Sequence, residues 1–347
     1  MRTTTAWQGT GRSTALERAE IERRELRADD IAVRVDFCGV CHSDLHALHG
    51  LTGKQAAGLV PGHEFTGTVT AAGPDVTGFA VGDGVAVGTI VDSCGECAMC
   101  AAGQENFCRA GATVTYGGKD RVDGSVTLGG YSREYVLRSK FAYRLPAALD
   151  PAAAAPLMCA GITMWEPLRA YGIGPGRRVA VAGLGGLGHL GVKLAAALGA
   201  EVTVLSRTPQ KAADAIRLGA TDVVNTTDTA DLARNANRFD LILDTIAAVH
   251  DFSPLLRLLG LEGTLSVLGA PLPTQVNLMD LVFGRKNLTS SGTGGTKWTA
   301  DLLTFASAHD ITADVEVLPS ARVGEALDRL SRGDVRYRFV LDLADLD

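Results

Sequence analysis

Hydrophobic positions follow two different rules in the two halves of the chain. From Thr3 to about Leu145 the apolar residues fall in short β-branched runs broken by glycine, as in Ile31–Val35, Gly67–Ala71 and Gly84–Val87. Such runs predict strands joined by tight turns. An alanine-rich stretch, Pro151–Pro156, then opens a helix, and from Arg178 apolar strands alternate with helices. The expected strands are Arg178–Ala182, Glu201–Leu205, Asp222–Val224, Phe239–Asp244, Thr264–Leu268 and Leu288–Ser291, with helices Gly188–Leu198 and Pro209–Leu218 between the early ones. Uninterrupted runs such as Leu241-Ile242-Leu243 suit a parallel sheet covered on both faces by crossover helices. Near the end the pattern becomes mixed again and rejoins the first half. The expectation is an α/β protein with a β-rich domain from residues 1–153 and 292–347, and a doubly wound parallel-sheet domain over 154–291.

Composition narrows the class of function. With 347 residues the chain exceeds what one core usually holds. Apolar residues make up 46% and charged residues 21%, which excludes a disordered tail protein. Lysine and arginine number 33 against 39 acids, so the net charge of −6 argues against nucleic acid or an anionic membrane as partner. No window reaches the roughly 18 apolar residues needed to span a bilayer. Met1–Leu26 is polar and charged where a leader would be apolar, and a cytoplasmic protein is expected.

Seven cysteines in a reducing compartment suit metal or catalysis better than disulfides. Cys94, Cys97, Cys100 and Cys108 are spaced by two, two and seven residues. Four thiolates so placed suit one tetrahedral zinc with no position left open, hence a structural role. An iron–sulfur centre and a nucleic-acid-binding ribbon are the competing readings, the second disfavoured because Arg109 is the one nearby cation. Cys41, His42, Ser43, Asp44 and His46 form a second dense group, with His63 and Glu64 next along the chain and Cys159 near the domain junction. Cys, His and Cys make a plausible three-ligand set that leaves a fourth position for substrate. Spacing alone does not choose Cys41 over Cys38, and Cys38-Gly-Val-Cys41 also reads as a thiol redox pair. A buried structural cysteine is the plain alternative for Cys159. His42, His49, His189, His250 and His309 read as ordinary surface or helix residues.

A third site lies in the second half. Val179-Ala-Val-Ala-Gly183-Leu184-Gly185-Gly186-Leu187-Gly188 places a G-x-G-x-x-G pattern between an apolar strand and a helix. Gly183 permits the tight turn, Gly185 lets a pyrophosphate approach the backbone, and Gly188 packs helix on strand, as in a Rossmann dinucleotide site. The next strand should end in Asp or Glu if the ribose carries a free 2′-hydroxyl, but it ends Leu205-Ser206-Arg207. Ser206, Arg207, Thr208 and Lys211 supply donors and positive charge, so NADP(H) is expected over NAD(H).

These sites in this order resemble the zinc-dependent alcohol dehydrogenases of the medium-chain dehydrogenase/reductase superfamily, most closely the cinnamyl alcohol dehydrogenase-like branch, nearly end to end. The resemblance is carried by Cys38-Gly-Val-Cys41-His-Ser-Asp-Leu-His46, Pro61-Gly-His63-Glu64, the four-cysteine loop, Ala155-Pro-Leu-Met-Cys159-Ala-Gly-Ile-Thr163, the glycine loop and Ser290-Ser-Gly-Thr-Gly294. It implies a GroES-like catalytic domain with two zinc ions beside a Rossmann domain. It implies that Cys41, His63 and Cys159 hold the catalytic zinc, that Glu64 is a carboxylate able to replace water on it, and that Asp44 orients His63. By the same likeness Ser43 and His46 form a proton relay. The likeness also implies that Thr163, Thr245, Gly269, Gly292, Thr293 and Gly294 line the cofactor. The implied activity is reversible oxidation of a small-molecule primary alcohol, running as aldehyde reduction with NADPH, in a homodimer. Thr52 stands where relatives present an aromatic residue, which weakens any expectation of flat aryl substrates. Zinc-independent reduction of an activated double bond and a non-catalytic NADPH-binding redox sensor are the other readings.

Overall fold

A computed structural model describes residues 1–11, 14–50, 57–269 and 274–347. The chain forms two compact units, one made of Met1–Cys159 with Gly294–Asp347 and the other of Ala160–Thr293. The first stretch therefore runs on to Cys159 instead of ending near Ala153. The reason is that the helical turn Ala155–Met158 packs on the strands Asp30–Val40, Phe65–Ala72 and Gly84–Val87. Among the described residues no helix is long and apolar enough to cross a membrane.

The first unit is built on a seven-stranded sheet. Its main path runs Val315–Pro319, Arg338–Asp342, Asp30–Val40, Phe65–Ala72, Gly84–Val87, Ala142–Arg144, and Glu134–Arg138 also pairs with Asp30–Val40. The C-terminal strand lies antiparallel on the long central one, with Phe339 opposite Val40 and Leu341 opposite Cys38. In the central strand Ile31, Val33 and Val35 point to one core by the two-residue period of a β-strand. A register shift between Val35 and Phe37 then changes the phase, so that Cys38 and Val40 reach the same core. Cys38 thereby becomes a fully buried core side chain.

The four-cysteine segment is tied to a distant helix. Glu105, buried, accepts from the Thr296 backbone N–H at 2.9 Å and its hydroxyl at 3.0 Å, and pairs with Lys140 Nζ at 3.0 Å. Thr296 opens the helix Thr296–Ala308, whose N-cap, Gly295, has no side chain to offer. Glu105 thus satisfies that helix end with a negative charge, which the free N–H groups favour.

The second unit holds six parallel strands, Arg178–Ala182, Glu201–Ser206, Asp222–Asn225, Phe239–Asp244, Leu259–Val267 and Asn287–Ser290. In the sheet they stand in the order third, second, first, fourth, fifth, sixth. This is the order of the doubly wound dinucleotide fold, with the reversal beside the first strand. That strand is buried from Val179 to Ala182, as a sheet covered on both faces requires. The expected helix Pro209–Leu218 is a 3₁₀ turn, Pro209–Lys211, followed by the α-helix Ala212–Arg217.

Replacing Glu105 with alanine should leave a helix N-terminus and Lys140 unpaired, a loss of about 2 kcal/mol. The urea midpoint of the Glu105→Ala protein is expected to fall accordingly.

Candidate active site

The bulged central strand delivers the chain to Cys41, where the helix His42–Leu48 begins. Asp44, on the first turn, accepts from the Cys41 backbone N–H at 2.9 Å and so closes that helix end. The same carboxylate takes the Gly62 N–H at 3.2 Å and His63 Nδ1 at 3.1 Å on its other oxygen. With Nδ1 engaged, Nε2 of His63 faces the sulfur of Cys159 at 3.1 Å. The sulfurs of Cys41 and Cys159 are 3.9 Å apart. These three ligand atoms lie within 4.8 Å of one another, and all three residues are buried.

The charge balance of this group calls for a cation. Its hydrogen bond with Cys159 holds the Cys41 thiol well below the ordinary value, against burial, while the same bond and burial push Cys159 well above it. One sulfur thus donates to the other across the 3.9 Å contact. Burial opposes a charged His63, yet Asp44 and Cys41 outweigh it and raise the imidazole well above its usual range. A divalent ion would replace both protons and let two thiolates and a neutral imidazole face it, which is the donor chemistry zinc accepts.

Glu64, expected as an exchangeable carboxylate, does not join the three. It is fully buried, and its Oε2 accepts from Arg338 Nη2 at 2.9 Å, while Oε1 has no hydrogen-bond partner. Burial pushes its pKa up to about 7 despite the guanidinium beside it. Arg338 reaches it because the C-terminal strand lies against the strand leading to Cys41.

Ser43 sits on the exposed first turn of the helix, its hydroxyl 3.7 Å from the Cys41 sulfur. His46, three residues on and half-buried, shares that helix face. Cys38 lies fully buried in the core with its sulfur against Gly62, whereas Cys41 is the cysteine of the C-x-x-C that joins His63 and Cys159. Three side chains that the sequence did not single out belong to this site. They are Arg338, Tyr131, whose hydroxyl donates to Asp44 Oδ2 at 3.1 Å, and Tyr116, whose ring edge packs on His63 with centroids 5.5 Å apart. Burial, with the Asp44 charge, keeps both phenols protonated by raising them well above their ordinary range. Thr52 lies outside the described residues.

Cys94, Cys97, Cys100 and Cys108 also converge, their sulfurs within 4.8 Å of one another and none in a disulfide. The Cys94–Cys100 and Cys97–Cys100 separations are 3.8 Å and 3.6 Å, and the Cys94 N–H points at the Cys108 sulfur at 3.5 Å. Four sulfurs in this compass would hold one zinc ion with no position left open.

In the second unit Gly183 takes φ +91°, and a side chain there would meet Thr245 Oγ1. Thr245 in turn donates to the carbonyl of Ala182 at 2.8 Å. Gly188 leaves no room for a Cβ against the Gly183 carbonyl, whereas a Cβ on exposed Gly185 would meet nothing within 4 Å. The loop thus has two glycines fixed by packing and one facing open space, as approach of a diphosphate requires. Gly186 is half-buried, and Leu187 caps the helix Gly188–Ala197. His189, fully buried, has its Nδ1 3.1 Å from the Gly185 carbonyl and so supports the loop from behind.

Lys211 Nζ donates to the Leu184 carbonyl at 3.0 Å, which places its ammonium over this loop. Ser206 ends the second strand, its hydroxyl accepting from Thr208 N–H at 3.0 Å, and Arg207 is exposed. Gly269 packs against the Ile246 carbonyl. Thr163 donates to the Gly292 carbonyl at 2.9 Å. Thr293 ends this unit and Gly294 opens the return to the other, so the expected cofactor loop 292–294 straddles the division.

Residues 27–147 match the alcohol dehydrogenase GroES-like domain, and residues 186–308 match the zinc-binding dehydrogenase domain. A probable formaldehyde dehydrogenase of Bacillus subtilis is 45% identical over 331 residues, which is 95% of each chain. An NADP-dependent alcohol dehydrogenase of Mycolicibacterium smegmatis is 44% identical, covering 100% of this chain and 99% of its own. The chain belongs to the zinc-dependent alcohol dehydrogenases. Within the medium-chain superfamily it stands in the cinnamyl alcohol dehydrogenase-like branch. A solved cinnamyl alcohol dehydrogenase from Sorghum bicolor superposes with a TM-score of 0.96 at 39% identity, covering 100% of this chain and 99% of the other. As a family member it is an oxidoreductase, and its two sulfur-rich groups fit two zinc ions.

Metal analysis of the purified dehydrogenase should return about two zinc ions per chain. Cys108→Ser and Cys159→Ala should each lower that content by one. Circular dichroism is expected to report a loosened fold for the first and an intact one for the second.

Proposed function

We propose that this alcohol dehydrogenase interconverts a small primary alcohol and its aldehyde, prefers NADP(H), and holds its catalytic metal with Cys41, His63 and Cys159. One observation carries the reading: two thiols and an imidazole meet in a buried site with no fourth side-chain ligand among the described residues. Three donors leave one position for a substrate oxygen, whereas the four-cysteine site is closed. Zinc bound there supplies Lewis acidity toward that oxygen, and NADPH supplies the hydride.

The remaining work falls to the chain. Asp44 holds His63 so that Nε2 is the free nitrogen. Ser43, beside the Cys41 sulfur, accepts the alcohol proton and His46, half-buried on the same helix, passes it outward. In aldehyde reduction, the direction taken when NADPH is supplied, the proton travels the other way. Gly183, Gly185 and Gly188 seat the pyrophosphate at the N-terminus of the helix Gly188–Ala197.

NADP(H) is supported by what ends the second strand. No carboxylate stands there to repel a 2′-phosphate, exposed Arg207 makes no ion pair with a described residue, and Lys211 lies above the loop. A homodimer is supported by the edge strand Asn287–Ser290, which has one open side, and by the segment before it, which exposes Leu278, Met279, Val282 and Phe283. Seven cysteines without a disulfide suit a reducing, cytoplasmic setting.

Arg207→Asp should raise the KM for NADPH by about tenfold or more, equivalent to about 1.4 kcal/mol, while NADH changes little. Steady-state kinetics with both cofactors and a panel of aldehydes checks this. An unchanged ratio would place the phosphate contacts elsewhere, and affinity for NADPH without turnover of any aldehyde would sink the enzymatic reading.

A further inference from the structure

A buried carboxylate has about four lone-pair sites, and Asp44 fills them with four donors. Two are backbone N–H groups, of Cys41 and Gly62, and the third is His63 Nδ1. The fourth is the hydroxyl of Tyr131 at 3.1 Å. It comes from a segment far along the chain that contributes no metal-capable atom.

Tyr131 is held for this contact from several directions. Its N–H donates to the Pro61 carbonyl at 2.9 Å, and its carbonyl accepts from Trp7 at 2.8 Å. Gly130 donates to the Gly62 carbonyl at 2.8 Å and Gly129 to that of Val60 at 2.7 Å. A Cβ on Gly62 would stand 2.6 Å from Cδ1 of the tyrosine ring, so the ring lies directly against the residue before His63. Behind it the buried Arg23 guanidinium grips the carbonyls of Leu128, Gly129 and Glu134 and the Ser132 hydroxyl. These bonds fix the backbone on either side of Tyr131, so its phenol is presented to Asp44 from a rigid segment.

We propose that Tyr131 is a positioning residue for the metal-holding set, acting through Asp44 to fix the orientation of His63. The inference rests on the assignment of Cys41, His63 and Cys159 as metal ligands. Without the hydroxyl, Asp44 keeps its bonds to Cys41, Gly62 and His63 and the neighbouring Tyr116 phenol but loses the Tyr131 bond on Oδ2, and the carboxylate can turn away from the plane that aligns the imidazole. Partners one step behind a metal ligand commonly change metal affinity by about 10–100-fold.

The test compares wild type, Tyr131→Phe and Tyr135→Phe. Tyr135 is also a buried phenol of this core, but its hydroxyl donates to the Thr115 carbonyl at 2.8 Å and not to Asp44. Zinc release into a chromogenic chelator is followed for each protein. The absorption bands of the cobalt-substituted proteins give a second readout that depends on metal geometry instead of stability. Tyr131→Phe should release one of its two zinc ions about tenfold faster and shift the cobalt bands, while Tyr135→Phe does neither. Release within twofold of wild type with unshifted bands would overturn the proposal, as would equal acceleration in both variants. Wild type that retains a single zinc would overturn the ligand assignment itself, and the role of Tyr131 with it.

Discussion

Three side chains from positions 41, 63 and 159 can share one ion only if their directions are set before the ion arrives, and in this protein one carboxylate does the setting for the first two. Asp44 binds the first turn of a helix, the backbone before His63 and the imidazole itself. A buried charge of this kind would cost several kcal/mol if left bare. Its four hydrogen bonds offset that cost, and because they end on three separate stretches of chain, at residues 41, 62–63 and 131, offsetting it also assembles the site. Losing any donor therefore loosens a geometry as well as a bond, which is why the carboxylate is a constraint on the whole strand-rich unit.

Much of this was legible in the sequence because it rests on local spacing. The parallel strands announced themselves as apolar runs, and the observed boundaries differ mainly at the ends of the last two, where Leu259–Val267 begins earlier and Asn287–Ser290 is displaced by a residue. The four cysteines and the glycine pattern are short-range signals whose function is nearly their spacing. The choice between Cys38 and Cys41 was legible through the family resemblance alone and not through spacing. It depends on a register shift between Val35 and Phe37 that turns Cys38 into the core, and no residue type in that run marks it.

The parts missed share a single cause. Arg338 meets Glu64 across 274 positions of sequence, and Tyr131 meets Asp44 across 87. These contacts come from strand pairing and loop packing over long separations, and a side chain that serves another leaves no motif of its own. His189 shows the same limit at short range: the helical pattern places it correctly, but only the fold shows it buried with a ring nitrogen behind the Gly185 carbonyl.

The Arg338–Glu64 pair poses the question of why an ion pair should be buried so close to the metal-capable group. Such pairs rarely add stability over apolar replacements of the same size. Here, however, the sulfurs of Cys41 and Cys159 and the carboxyl groups of Asp44 and Glu64 crowd one buried region, and a zinc ion held there would balance only part of the charge they carry when ionised. A guanidinium remains charged under all ordinary conditions and presents a fixed fork of donors. Its field favours the ionised form of both sulfurs. By occupying Oε2 of Glu64 it also gives that carboxylate a partner other than the metal. The pair is therefore better understood as setting the electrostatic background against which a three-ligand site keeps its remaining face for substrate.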